Sequence, residues 1–181
     1  MLTFVLGGAR SGKTKWALRY GESLNHFSKY YYIATAEPLD EEMKERILIH
    51  KKERSSQWET IEESLDISSL LNKLNYEGNL ILVDCLTLWL SNVFLKDVIK
   101  TNHWVENLLQ SLVKYKGTEK TWVILVSNEV GLGIVPENPL GRVFRDQLGL
   151  LNQRVADLAD EFFFIIAGKA ISLKGKGLGT P

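Results

Sequence analysis

The chain has 181 residues, long enough for one domain with a buried core that needs no disulfide or metal staple. Its 22 Lys plus Arg balance 22 Asp plus Glu, which argues against a basic nucleic-acid binder and against an acidic tail. Cys85 is the only cysteine, so an intrachain disulfide is excluded, as expected of a reducing cytoplasm. No run approaches the roughly 20 apolar residues of a membrane span, and Met1–Leu6 is too short for the apolar part of a signal peptide.

In chain order, "LTFVLGG" predicts a first strand over Leu2–Leu6, stopped by two glycines. A helix follows over Lys13–Leu24, then an aromatic-rich strand over Lys29–Ala36 and a charged helix over Asp40–Arg54. "NLILVD", Asn79–Asp84, is apolar without alternation, the pattern of a strand buried on both faces. Trp104, Leu108, Leu112 and Tyr115 recur at helical spacing, and Thr121–Asn128 reads as the next strand. Leu140, Phe144, Leu148, Leu151, Val155 and Leu158 step by three or four and predict a long amphipathic helix. Strands over Glu161–Gly168 and, more weakly, Ile171–Leu173 complete the list; from about 169 a glycine-rich, basic tail is expected to fray. Strands alternating with helices predict a single α/β domain over 1–181, with a mostly parallel sheet and helices on both faces.

"GGARSGKT", Gly7–Thr14, fulfils the pattern G-x-x-x-x-G-K-[ST] between a strand and a helix. Glycines let backbone N–H groups curl around phosphate oxygens, and the helix start adds a favourable dipole. In this pattern Lys13 reaches the β- and γ-phosphates and the Thr14 hydroxyl ligates Mg²⁺. Such a site calls for a carboxylate at the end of another buried strand, and Asp84 fits; the plainer role for Asp84 is to cap the start of a helix.

Within the charged helix, Glu42, Arg46, His50 and Arg54 fall at successive i+4 positions. An imidazole flanked by two guanidinium groups suits a phosphorylated ligand, and neighbouring cations keep it neutral and nucleophilic. The bland reading is a solvated face of Glu–Arg pairs with His50 idle, and spacing alone leaves both open. His26 and His103 have no comparable setting.

Taken together, "GGARSGKT", "YIATA", "DEEMKERILIHKKERSSQWETIE", "VDCLTLWLSN", "VSNEVGLGIVPENPLGRVFRDQLGLLNQRVADLAD" and "FFFIIAG", in that order, resemble the bifunctional adenosylcobinamide kinase / adenosylcobinamide-phosphate guanylyltransferase family of cobalamin synthesis. The resemblance runs from about Leu2 to Gly168, and R-I-x-x-H-x-x-x-R followed by W-x-T-x-E is its most specific part. It implies a RecA-like P-loop fold, a homotrimer, Mg²⁺, and GTP and ATP as substrates. It also implies phosphorylation of adenosylcobinamide, then transfer of GMP from GTP through a histidine to adenosylcobinamide phosphate. The histidine matching that role is His50. Nucleotide contacts implied by the resemblance are Gly7, Gly8, Ala9, Arg10, Ser11, Gly12, Lys13 and Thr14, then Ala34, Thr35 and Ala36. Lys51, Lys52, Glu53, Arg54, Glu62 and Asp84 complete that set, with Thr14 and Asp84 at the metal.

Two readings compete with this one: a small-molecule kinase without a covalent intermediate, and a guanine-nucleotide switch. The chain lacks the N-K-x-D guanine-specificity motif, which counts against the switch. Departures from the family pattern are Ser55, where many relatives have proline, and Ile49, often polar in relatives. Neither removes a required group. Asn128 and Glu129 of "SNEVGLGIVP" are candidates for substrate or magnesium contact or for turn stabilisation, and Arg142 and Arg145 either face phosphate or pair with Asp146.

Overall fold

A computed structural model describes residues 1–52 and 54–175; Glu53, residues 176–181 and the side chains of Arg46 and His50 lie outside the description. Strand β1 (Leu2–Gly7) is buried along its whole length. It is followed by β2 (Lys29–Ala34), β3 (Trp58–Glu62), β4 (Asn79–Asp84), β5 (Trp122–Asn128), β6 (Glu161–Ile166) and β7 (Lys169–Lys174). These form one sheet in the order β3-β2-β4-β5-β1-β6-β7. Every neighbouring pair is parallel except β6 with β7. The helices are α1 (Lys13–Ser23), α2 (Glu41–Lys52), α3 (Ile67–Leu74), α4 (Leu86–Lys96), α5 (Thr101–Val113) and α6 (Pro139–Leu158).

Side-chain alternation along the strands divides the core in two. Val5, Tyr30, Tyr32, Leu80, Leu82, Ile124 and Val126 pack with Trp16, Ala17 and Tyr20 of α1. Phe4, Leu6, Tyr31, Ile33, Ile81, Val83 and Leu125 pack with residues of α3, α4, α5 and α6 on the other face. Fully burying one such aliphatic or aromatic side chain contributes about 1.5–3 kcal/mol, so β4, apolar on both faces, is a strongly anchored inner strand of the sheet. Four buried polar side chains on the α1 side pair with one another: Glu161 Oε2 accepts from Thr3 Oγ1 and Tyr20 OH, and Trp122 Nε1 donates to Thr3 Oγ1.

The expected strands and the four expected helices are present, and three further elements appear. β3 is an edge strand with mostly exposed residues, α3 is short, and α4 is apolar almost all round. Of the stripe on α6, Leu148, Leu151 and Val155 are buried while Leu140 is 46% exposed, because the first turns of this helix extend past the core. Trp89 and Trp122 are core residues and Trp104 packs partly buried against the core. The tail expected to fray from about 169 is corrected: Lys169–Lys174 forms β7, its backbone paired to β6.

The register aligns the C-terminal strand ends along one edge. Ala34 is opposite both Glu62 and Asp84, Asp84 is opposite Val126, and Gly7 is opposite Asn128. Adjacent strands lie about 4.8 Å apart, so this edge is a compact rim on which the loops after β1, β2, β3, β4 and β5 converge.

Candidate nucleotide site

The loop after β1 needs its glycines for two different reasons. A Cβ on Gly7 would lie 2.7 Å from both the Ile165 carbonyl oxygen and Ser11 Oγ, so only glycine lets the loop turn against β6. Gly12 has φ 89°, a left-handed conformation that a side chain disfavours. No side chain caps the start of α1, which leaves its first-turn N–H groups open to an anion. The loop is pinned from outside by Gly168, whose N–H donates to Ser11 O at 2.8 Å.

Lys13 folds back over this loop, its Nζ donating to Gly8 O at 3.1 Å. Burial lowers its ammonium below the usual lysine value, partly opposed by the Asp84 carboxylate. Thr14 Oγ1 donates to Asp84 Oδ2 at 3.1 Å, and Tyr32 OH donates to the same oxygen at 2.5 Å. Asp84 reaches this point because β4 ends level with Ala34, and Thr35 ties the turn by donating to Cys85 O and accepting from Cys85 N, each at 2.8 Å.

A hydroxyl and a carboxylate are hard oxygen donors, which suit Mg²⁺. Among the described residues no group of three or more His, Cys, Asp or Glu side chains gathers to hold a metal. The donor set therefore fits an ion that takes its remaining ligands from nucleotide phosphates and water, as Mg²⁺ does.

The other residues implied by the sequence fall around this centre. Ala34 and Ala36 are partly exposed on the rim, while Thr35 is fully buried with its hydroxyl committed to Cys85. Lys51 and Lys52 are exposed at the end of α2, where Lys51 Nζ meets Glu62 Oε1 at 2.8 Å. This ion pair and its hydrogen bond hold the Glu62 carboxyl below its usual value. Arg54 differs from expectation: α2 ends at Lys52, so Arg54 does not continue the helical face. Its guanidinium lies over the Tyr32 ring at 3.6 Å and donates to Thr60 Oγ1 at 2.7 Å. Position 50 is in α2; the side chain of His50, and Glu53 altogether, lie outside the described residues.

The loop after β5 is internally braced. Asn128 N–H donates to Thr87 Oγ1, its carbonyl accepts from Asn152 Nδ2, and Glu129 N–H donates to Gly7 O. The Glu129 carboxylate accepts from Gly131 N–H, the turn-stabilising geometry. Arg142 donates to the carbonyls of Pro136 and Glu137, and Arg145 lies 3.8 Å from Asp146. Sequence reasoning missed Tyr32, whose partners lie far along the chain. It also missed Asn92, which donates to Thr35 O and Ser64 O and joins the loops after β2 and β3. Neither has a local signal.

A phosphate loop at the end of β1, faced by a carboxylate at the end of β4 in a mostly parallel sheet, defines a P-loop α/β protein. Solved structures support that fold: the flagellar accessory protein FlaH of Methanocaldococcus jannaschii superposes with TM-score 0.50 at 18% identity over 96% of this chain and 78% of its own. A Pyrococcus horikoshii OT3 protein gives TM-score 0.51 at 10% identity over 97% and 86%. The family is narrower. The model described as "Cobinamide kinase / cobinamide phosphate guanyltransferase" matches residues 3–173, and the chain belongs to that enzyme family. The bifunctional adenosylcobalamin biosynthesis protein CobP of Pseudomonas aeruginosa is 40% identical over 98% of this chain and 100% of its own. The similarly named CobU proteins of Salmonella typhimurium and Escherichia coli are 35% and 34% identical, each over 96% of this chain and 100% of their own. Among the described residues no helix is long and apolar enough to cross a membrane.

Proposed function

We propose that this chain phosphorylates adenosylcobinamide with ATP or GTP and then transfers GMP from GTP, through His50, to adenosylcobinamide phosphate. Family membership supports the substrate class, and the apposition of Thr14 and Asp84 at the phosphate loop carries the phosphoryl-transfer half.

In the first reaction the aminopropanol hydroxyl oxygen attacks the γ-phosphorus, the bond to the β-phosphate oxygen breaks, and the nucleoside diphosphate leaves as the hydroxyl proton is lost. The loop from Gly7 to Thr14 holds the phosphates, with Lys13 against the transferring charge. Mg²⁺, when bound by Thr14 and Asp84, supplies charge neutralisation between the phosphates.

In the second reaction a ring nitrogen of His50 attacks the α-phosphorus of GTP and pyrophosphate leaves. A phosphate oxygen of the phosphorylated corrinoid then attacks that phosphorus, the P–N bond breaks, and adenosylcobinamide-GDP forms. Covalent catalysis divides one displacement between two anions into easier steps. Its support here is the position of His50 on α2, in a segment whose following residues Lys51 and Arg54 lie near Glu62 and Tyr32.

Assembly as a homotrimer in the cytoplasm belongs to the same proposal. Exposed Leu132, Ile134 and Val135, an apolar patch in the loop before α6, are consistent with a surface covered by another subunit. Light scattering on the purified protein tests the stoichiometry.

The decisive experiment incubates the protein with magnesium and GTP labelled at the α-phosphate, then denatures it. Acid-labile, alkali-stable label that His50→Ala abolishes is the expected result. Absence of label in the wild type would leave only a phosphotransferase or a nucleotide switch.

A further inference from the structure

Three tyrosines stand in a row on β2, and the hydroxyls of Tyr30 and Tyr32 are used differently. Tyr30 OH donates to a backbone carbonyl, that of Leu24, at 3.3 Å, and its ring meets Trp58 edge-on. That is the ordinary provision for a buried phenol, as is Tyr115 OH on Leu71 O. Tyr32, only 2% exposed, instead gives its proton to Asp84 Oδ2. Thr14 Oγ1 donates to that same oxygen, and among the described residues Asp84 Oδ1 accepts no hydrogen bond. Two donors on one oxygen fix the carboxylate plane and leave the other oxygen for a ligand. The face of the Tyr32 ring carries the Arg54 guanidinium, 3.6 Å from the centroid. Arg54 belongs to the segment just after the proposed nucleophile, whereas Asp84 belongs to the phosphate-loop side. One side chain therefore touches both halves of the site.

We propose that Tyr32 is a positioning residue joining these halves: its hydroxyl orients Asp84 for the metal–phosphate shell, and its ring seats the Arg54 guanidinium against nucleotide phosphate. This inference rests on the nucleotide reading of the site given above. Partners that orient a ligating carboxylate influence metal affinity by about 10–100-fold, and loss of a cation held over an aromatic face weakens binding by about two- to thirtyfold. The two effects are separable because the hydroxyl serves one and the ring the other.

The test uses Mn²⁺ as the metal probe, its free fraction read by electron paramagnetic resonance with GTP present, and a fluorescent GTP analogue titrated in EDTA. Tyr32→Phe should weaken Mn²⁺ binding by about tenfold while retaining the ring beneath Arg54. Tyr32→Leu should lose Mn²⁺ to the same extent and additionally bind the analogue in EDTA about threefold or more weakly than Tyr32→Phe. Should Tyr32→Leu not fold, Arg54→Leu replaces it and should reproduce the EDTA loss without the Mn²⁺ loss. A purely structural tyrosine would instead lower the melting temperature and move both affinities in parallel. Tyr32→Phe with wild-type Mn²⁺ affinity, or ring loss without an EDTA effect, overturns the inference. A wild-type protein that binds no Mn²⁺–GTP overturns the nucleotide reading itself, which is a different result.

Discussion

Thr14 Oγ1 donates a hydrogen bond to Asp84 Oδ2 at 3.1 Å, joining the first turn of α1 to the end of β4, 70 residues later in the chain. The contact sets a hydroxyl of the helix start, only 9% exposed, beside a strand-end carboxylate, the pair that the proposed Mg²⁺ shell would use. Asp84→Asn keeps the shape but removes the charge. It should lower kcat of the kinase reaction by about 100-fold or more, the loss typical of one preorganised electrostatic group. Thr14→Ala should raise the Mg²⁺ concentration needed for half-maximal rate by about tenfold. Steady-state kinetics against Mg²⁺ check both; an unchanged metal dependence would remove these residues from the metal site.

Gly7 and Gly8 adjoin, yet substitution should act differently at each. Gly7→Ala drives a Cβ to 2.7 Å from a backbone oxygen of β6, which cannot swing aside as a side chain tip would. The strand pair must separate, costing about 1–3 kcal/mol as overpacking does. At Gly8 an added Cβ meets nothing within 4 Å, so Gly8→Ala should change stability by less than about 0.5 kcal/mol. Urea denaturation of the two variants reads the difference directly.

Much of this architecture is legible in the chain itself. Gly7–Thr14 declares its loop through residue types the backbone geometry demands, and "NLILVD" declares a strand buried on both faces by its unbroken apolarity. Other elements leave no periodic trace. "WETIE" forms the edge strand β3 with three of its five side chains solvent-exposed, so its polar residues mask the pairing. "LTLWLSNVFLK" forms α4 beneath other helices, apolar almost all round, and therefore shows no amphipathic stripe. The charged face drawn through Arg46, His50 and Arg54 ends sooner than spacing suggests, because Arg54 is captured by the Tyr32 ring and Thr60. Tyr32 itself is invisible as a site residue in the sequence: its meaning lies in Asp84, 52 positions away, and only the parallel register of β2 with β4 brings them together.

Cys85 lies next to Asp84 but is 5% exposed, with burial and the Asp84 charge pushing its thiol up to about 12. The thiolate is the reactive form, so the native protein should resist iodoacetamide at neutral to mildly alkaline pH. In urea, where the thiol is freed, one equivalent should react. Mass spectrometry before and after denaturation checks this. Rapid native alkylation would mean that the turn after β4 opens readily.

Lys51 and Glu62 meet at 2.8 Å, with side chains 46% and 68% exposed. Exposed pairs of this kind contribute less than about 1 kcal/mol, so the fold alone gives little reason for the pair. The proposed nucleotide contact gives another. The Glu62 carboxyl is depressed below its ordinary 4.5 by Lys51, its hydrogen bond leading and its charge next. Its small stabilising contribution is complete above that ordinary value and fades as pH falls through the lower folded value. Glu62→Gln should therefore leave the melting temperature at pH 7 almost unchanged and flatten only a slight loss in acid. GTP affinity should fall by roughly tenfold if the carboxylate accepts a ligand hydrogen bond, the range for bonds to charged groups being about 1.5–3 kcal/mol. Calorimetric melting and GTP titration on one preparation separate the two roles. A variant that binds GTP like the wild type would leave Glu62 as a solvated partner of Lys51 and nothing more.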